Sequence, residues 1–87
     1  MADGMTKSIY VGNLPWTVKD EDLANKFGEH GDVVSARVIT DKMTGRSRGF
    51  GFVTMKAQDA TKAIAALHQY SWEGRPINVN EAREQKQ

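Results

Sequence analysis

The stretch Arg48-Gly49-Phe50-Gly51-Phe52-Val53-Thr54-Met55 sets a cation and two aromatic rings at alternate positions, with glycines between them. In a β-strand, alternate side chains point to the same face. Arg48, Phe50 and Phe52 are therefore expected on one face, and Gly49, Gly51 and Val53 on the other. Two exposed phenylalanines side by side do nothing for solubility. Flat rings beside a positive charge suit the unstacked bases and phosphates of single-stranded nucleic acid.

Outward from this strand, the apolar spacing supplies the remaining elements. Ser8 to Gly12 reads as a strand, with Ile9 and Val11 on one face and Tyr10 on the other. Asn13-Leu14-Pro15 ends it. Thr17 is positioned to cap a helix, with Asp20 three residues on. Leu23, Ala24 and Phe27 give that helix its apolar stripe, and Gly28 and Gly31 stop it. Val33 to Thr40 is a β-branched strand, with Ala36 and Val38 inward and Ser35, Arg37 and Ile39 outward. Asp41 to Ser47 is a polar loop. Ala60, Ala63, Ile64 and Leu67 recur at the spacing of a buried helix face, although no capping residue stands near Ala57. Gly74 turns the chain into a last strand, Ile77 to Asn80, with Ile77 and Val79 inward. Pro76 at its start suits an edge, where a missing N–H does no harm.

The order β-α-β-β-α-β is the split βαβ, or ferredoxin-like, arrangement of an α+β fold. With both helices on one face of the sheet, the other face is open to solvent. Tyr10, Arg37, Ile39, Phe50, Phe52, Asn78 and Asn80 are the side chains expected there.

The chain has 87 residues, enough for one domain with a small core. It has no cysteine, which excludes a disulfide framework and thiolate metal sites. His30 and His68 have no ligand-like spacing and are expected at the surface or at helix ends. No apolar run approaches the ~18 residues of a membrane span, and residues 1–7 lack a signal-peptide core. An intracellular location, cytoplasmic or nuclear, is expected. The net charge is only +1, but it is unevenly spread. Arg37, Lys42, Arg46 and Arg48 fall close together against Asp41 alone. Asp20, Glu21, Asp22, Glu29 and Asp32 cluster against Lys26 alone. A chain near neutrality can thus carry a basic side and an acidic side.

The octamer resembles the longer signature of the RNA recognition motif, Lys/Arg-Gly-Phe/Tyr-Gly/Ala-Phe-Val-x-Phe/Tyr. Ile9-Tyr10-Val11-Gly12-Asn13-Leu14 resembles the shorter hexamer of that family. Gly74-Arg75, Ile77, Val79 and Ala82 resemble its last strand. The match covers Ser8 to Arg83 and looks nearest to small single-domain or glycine-rich members.

The resemblance implies a four-stranded antiparallel sheet with the first and third strands central. Tyr10, Phe50 and Phe52 would stack on bases or pack on a ribose, and Arg48 would meet a phosphate. Gly49 and Gly51 would allow close packing toward the helices. Asn13, from the hexamer, and Asn78, Asn80, Ala82 and Arg83, at the last strand, would add contacts. Arg37 and Ile39 from the second strand, and Lys42 and Arg46 from the loop, complete the candidate set. Met55 departs from the signature, but its parity points it into the core, where methionine fills space well.

Trp16 and Trp72 lie at element boundaries, where packing is the expected role. Gly45 to Gly51 lacks the Gly-Lys-Ser/Thr ending and the following helix of a phosphate-cradling loop. No carboxylate pair, Ser/His/Asp set or metal cluster suggests catalysis, and no cofactor is expected. The expected partner is single-stranded RNA, with single-stranded DNA as an alternative, bound by a monomer in RNA processing, stability or chaperone work. Two other classes remain at this level. A protein-interaction module on the same fold would lose or cover the aromatics, and a small hydrolase would need a nucleophile in a pocket. The expected division is a disordered stretch at 1–7, a domain at 8–83 and a frayed tail at 84–87.

Overall fold

The computed structural model describes residues 6–82. The chain runs β1 (Thr6–Gly12), α1 (Asp20–Gly28), β2 (Val33–Thr40), β3 (Ser47–Lys56), α2 (Ala57–Leu67), β4 (Ser71–Trp72), β5 (Arg75–Pro76) and β6 (Asn78–Ala82). β1, β2, β3 and β6 form one antiparallel sheet in the order β2-β3-β1-β6, so the two signature strands are its centre.

Strand alternation explains why the sheet has one apolar face. Ile9 and Val11 of β1, Val38 of β2, Val53 and Met55 of β3 and Val79 of β6 are all buried. They meet Leu23 and Phe27 of α1 and Ala60, Ala63 and Leu67 of α2 in one cluster, joined by Leu14, Val18 and Ile77. Each large side chain buried this way contributes ~1.5–3 kcal/mol relative to exposure. Met55 is fully buried, as its parity requires.

Two irregularities reshape the β2–β3 pairing. Val33 pairs with Met55 and Ser35 with Thr54, leaving Val34 as an extra residue, 61% exposed. That bulge lets Val33 pack on the core while Ser35 turns to the open face. At the other end Val38 pairs with Gly51 but Thr40 with Ser47, so Ile39 alone spans Arg48 to Phe50. Gly49 adopts φ +87°, a left-handed conformation that glycine accepts without strain. Regular alternation therefore runs from Phe50 to Lys56, and Arg48 lies beyond the break. The glycines also act differently from expectation. A Cβ on Gly51 would strike the backbone of Arg37 and Val38, so it is strand β2, not a helix, that needs the missing side chain.

The start of α1 differs from the expected cap at Thr17. The helix begins two residues later, where the Asp22 carboxylate accepts the Lys19 N–H at 3.0 Å. The Thr17 hydroxyl instead donates to the Glu73 carboxylate at 3.1 Å, an engagement 56 residues away along the chain. Asp20 is also used across elements, accepting the Val38 N–H at 2.7 Å and covering one exposed donor of edge strand β2. α2 starts at Ala57, and the N-cap position, Lys56, makes no side-chain cap, as the lack of a capping residue implies.

The C-terminal segment is richer than one strand. β4 and β5 form a small ribbon around Glu73-Gly74, both at positive φ (51° and 86°), the mirror-image turn that matches strand twist. Pro76 thus belongs to this ribbon and not to the last strand. At the other end, Thr6 and Lys7 pair with Lys56 and Met55, which extends β1 into the stretch expected to be disordered. The tail at 84–87 lies outside the described residues.

Candidate nucleic-acid interface

The open face is built in rows across the four strands. In one row Arg37 on β2 lies opposite Phe52 on β3, Phe52 opposite Tyr10 on β1, and Tyr10 opposite Asn80 on β6. In the next row Phe50 lies opposite Gly12, and Gly12 opposite Asn78. The register thus brings together side chains from four strands that the sequence separates by up to seventy positions.

The three rings form a nearly equilateral cluster. Tyr10 and Phe50 have centroids 6.0 Å apart, Tyr10 and Phe52 5.9 Å, and Phe50 and Phe52 6.1 Å. Their planes differ by 32°, 63° and 88°, respectively, the tilted and edge-on packings that aromatic quadrupoles favour. Phe52 is exposed, and Tyr10 and Phe50 are half-buried against their neighbours. Phe52 is steeply inclined to both other rings, so the cluster is not a single flat floor.

Gly12 makes this cluster possible. It shares Tyr10's face two residues on, and a Cβ built there would sit 2.5 Å from the Tyr10 hydroxyl oxygen and 2.8 Å from two ring carbons. The ring lies down across the space a side chain would fill, which turns it toward Phe50. Strand alternation alone already puts Gly12 and Tyr10 on one face.

Charge surrounds the rings on the β2–β3 side. Among the described residues the salt bridges join Lys7 to Glu81 (3.6 Å) and Lys56 to Asp32 (3.9 Å), and no arginine takes part in them. Arg37 and Arg48 are exposed, and so are Lys42 and Arg46 in the loop. That loop is a tied hairpin. Asp41 donates its N–H to the Arg46 carbonyl at 2.8 Å, Gly45 donates to the Asp41 carbonyl at 2.7 Å, and Met43 donates to the Asp41 carboxylate at 2.8 Å. The loop cations therefore stand on a structured turn. Ile39 is half-buried beside the β3 irregularity.

Asn78 and Asn80 are exposed on edge strand β6, and Ala82 is half-buried at its end. Arg83 lies outside the described residues. Asn13 has a different engagement from the contact role expected of it. Its amide donates to the Pro76 carbonyl at 2.8 Å and accepts from Arg75 at 2.9 Å. Its φ of 60° is one that asparagine tolerates better than most residues. Both ends of the side chain are thus occupied in tying the end of β1 to the β4–β5 ribbon.

The tryptophans divide. Trp72 packs partly buried against the core, with Tyr70 edge-on at 6.3 Å and the Lys26 ammonium 5.6 Å above it. Lys26 also donates to the Tyr70 hydroxyl at 3.1 Å, and that bond holds its pKa above the ordinary 10.5. Trp16, expected to pack, is 66% exposed in the loop after β1. His30 follows the end of α1, and His68 closes α2 at the surface with its Nδ1 accepting the Val79 N–H at 3.3 Å. Among the described residues, no cluster of His, Asp and Glu could hold a metal ion, and no helix is long and apolar enough to cross a membrane.

The same pattern recurs in known proteins. The RNA recognition motif family model matches residues 9–78. A 28 kDa chloroplastic ribonucleoprotein of Spinacia oleracea is 56% identical over 77 residues, which is 87% of this chain and 33% of that protein. Glycine-rich RNA-binding protein blt801 of Hordeum vulgare is 46% identical over 78 residues, 88% of this chain and 48% of its own length. The chain thus spans a third to a half of the length of these relatives. Among solved structures, the crystal structure of RNA-binding protein PG1 superposes with a TM-score of 0.86 at 50% identity, covering 93% of this chain and 99% of that one. A Sxl-lethal protein/RNA complex superposes with a TM-score of 0.85 at 38% identity, covering 94% of this chain and 53% of that one. On this sequence match and this fold, the chain belongs to the RNA recognition motif family.

Proposed function

We propose that this chain is a non-catalytic module that binds single-stranded RNA across the open face of its sheet. The observation that carries the reading is the ring cluster of Tyr10, Phe50 and Phe52, about 6 Å between centroids, on a face that neither helix covers. Bases stack on these rings and Arg37 and Arg48 neutralise phosphate. Asn78 and Asn80 offer donors and acceptors to base edges, and Lys42 and Arg46 extend the basic border. Stacking on aromatic side chains contributes ~1–3 kcal/mol per base. Three such contacts sum to roughly 3–9 kcal/mol, so micromolar affinity, about 8 kcal/mol, lies near the upper end for the isolated module. The relatives named for RNA binding and the solved protein/RNA complex support the same reading.

The test is an NMR titration with RNA and DNA oligonucleotide pools of matched sequence. RNA is expected to shift the amides of Tyr10, Phe50 and Phe52 in a saturable manner. RNA that leaves those amides unmoved contradicts the reading. Equal shifts with DNA would mean that the face reads bases and phosphates without using the 2′-hydroxyl.

A further inference from the structure

On its open face β3 displays Phe52, Thr54 and Lys56 in turn, a ring, a hydroxyl and a cation. Successive members stand about 7 Å apart along the strand. Base, ribose and phosphate are the parts of a nucleotide in that same order. Neighbouring strands widen the hydroxyl step into a row. Ser35 on β2 lies opposite Thr54, Thr54 opposite Ser8 on β1, and Ser8 opposite Ala82 on β6. Among the described residues, the hydroxyls bonded within the fold are those of Thr17, Thr44, Ser47, Thr61 and Tyr70, and the three of this row are not among them. Tyr10 leans across Gly12, which lies on the opposite side of it from Ser8, so the ring does not cover the row. Small side chains beside standing rings make a shelf one step below the ring cluster. Lys56 closes its far side. It is held there by a surface contact with Asp32, at 3.9 Å, that costs little to open.

We propose that this shelf reads the ribose: the hydroxyls of Ser8 and Thr54 exchange hydrogen bonds with the 2′-hydroxyl of the nucleotide whose base stacks on Phe52, and Lys56 meets its phosphate. The proposal rests on single-stranded RNA binding by the ring cluster, and it makes the face selective for RNA over DNA. Rings and cations alone do not separate the two, since every base has a π-face and both backbones carry the same phosphates. The 2′-hydroxyl is the group that differs, and it both donates and accepts. A serine or threonine hydroxyl does the same and rotates to suit its partner. Arginine only donates, which leaves Arg37 and Arg48 to phosphate. The row carries no charge of its own, so it suits a sugar and not the backbone anion. Asp32 is the partner of Lys56 in the free protein, and the incoming phosphate replaces it.

The test measures affinity for two mixed single-stranded pools by fluorescence anisotropy. One pool is RNA, and the other is DNA with deoxyuridine in place of thymidine, so that they differ in the 2′-hydroxyl alone. Wild type is expected to bind RNA about five- to tenfold more tightly than DNA, the net effect of one or two hydrogen bonds. In Ser8→Ala/Thr54→Val, whose valine keeps the β-branched shape of threonine, RNA affinity is expected to fall to the DNA level while DNA affinity stays within about twofold. Lys56→Gln is expected to weaken both pools alike and to lower the salt slope by about 0.7. Equal binding of the two pools by wild type, or an RNA preference that survives in Ser8→Ala/Thr54→Val, overturns the ribose shelf. A loss shared equally by RNA and DNA in that variant also overturns it, since a defect in the fold would act on both. An unchanged salt slope in Lys56→Gln overturns the place of Lys56 on the shelf. Failure of wild type to bind RNA at all overturns the underlying reading instead.

Discussion

The ring of Tyr10 lies across the backbone of Gly12, with its hydroxyl oxygen 2.5 Å from where a Cβ on Gly12 would stand. The obstacle is the far end of a side chain, which can swing aside, so substitution there acts on the ring and not on the sheet. Gly12→Ala is expected to weaken RNA binding about five- to tenfold while changing the melting temperature by less than about 4 °C. Paired binding and thermal-melt measurements check this. A large fall in stability with unchanged affinity would assign Gly12 to the fold alone.

Gly51 presents the opposite case. A Cβ there meets the carbonyl of Arg37 and, at 3.0 Å, the Cα of Val38, both of them backbone. Strand β2 cannot move aside without breaking its ladder. Gly51→Ala is therefore expected to destabilise by about 1–3 kcal/mol, the usual cost of overpacking. Chemical denaturation gives the figure directly, and a change below about 0.5 kcal/mol would show that β2 adapts.

The contrast between these glycines shows what could be read from the chain and what could not. Period-two alternation suffices to put Tyr10, Phe50 and Phe52 on one face and Met55 in the core. Helical spacing suffices for both helices. Alternation fails at Arg48 because Gly49 takes a left-handed φ, a choice that depends on how β2 pairs. Thr17 looked like a helix cap, but its hydroxyl goes to Glu73, which only the folded chain brings near. Trp16 looked like a packing residue, since local sequence does not reveal that the core beside it is already filled by Leu14 and Val18. Long-range partners account for the misses at Arg48 and Thr17.

Asn13 supplies a test of the division between binding and scaffolding. Removing its amide leaves the Pro76 carbonyl and the Arg75 guanidinium without their partner, and alanine also strains the positive φ. Asn13→Ala is expected to destabilise by about 1–2 kcal/mol. Asn13→Gly, which relieves the backbone but not the lost bonds, should cost less. Neither should change RNA affinity more than about twofold under conditions where the protein is folded. A selective loss of affinity in Asn13→Gly would instead make Asn13 a direct contact.

Charge and stacking can be separated by salt. Each phosphate neutralised on a single strand adds about 0.7 to the slope of log affinity against log salt. Arg48→Ala is expected to lower the slope magnitude by about that amount, while Phe52→Ala lowers affinity and leaves the slope unchanged. Titrations at several salt concentrations distinguish them. An unchanged slope in Arg48→Ala would remove Arg48 from the phosphate contacts.

The central claim is that the ring cluster binds the bases, and the double variant Phe50→Ala/Phe52→Ala tests it most directly. Both rings stand on the face opposite the core, so the variant is expected to keep the far-ultraviolet circular dichroism of wild type. Losing two stacking contacts costs at least about 2 kcal/mol, or about 30-fold in RNA affinity. A folded double variant that binds RNA at least 30-fold more weakly is the predicted result, and one that binds as tightly as wild type contradicts the account.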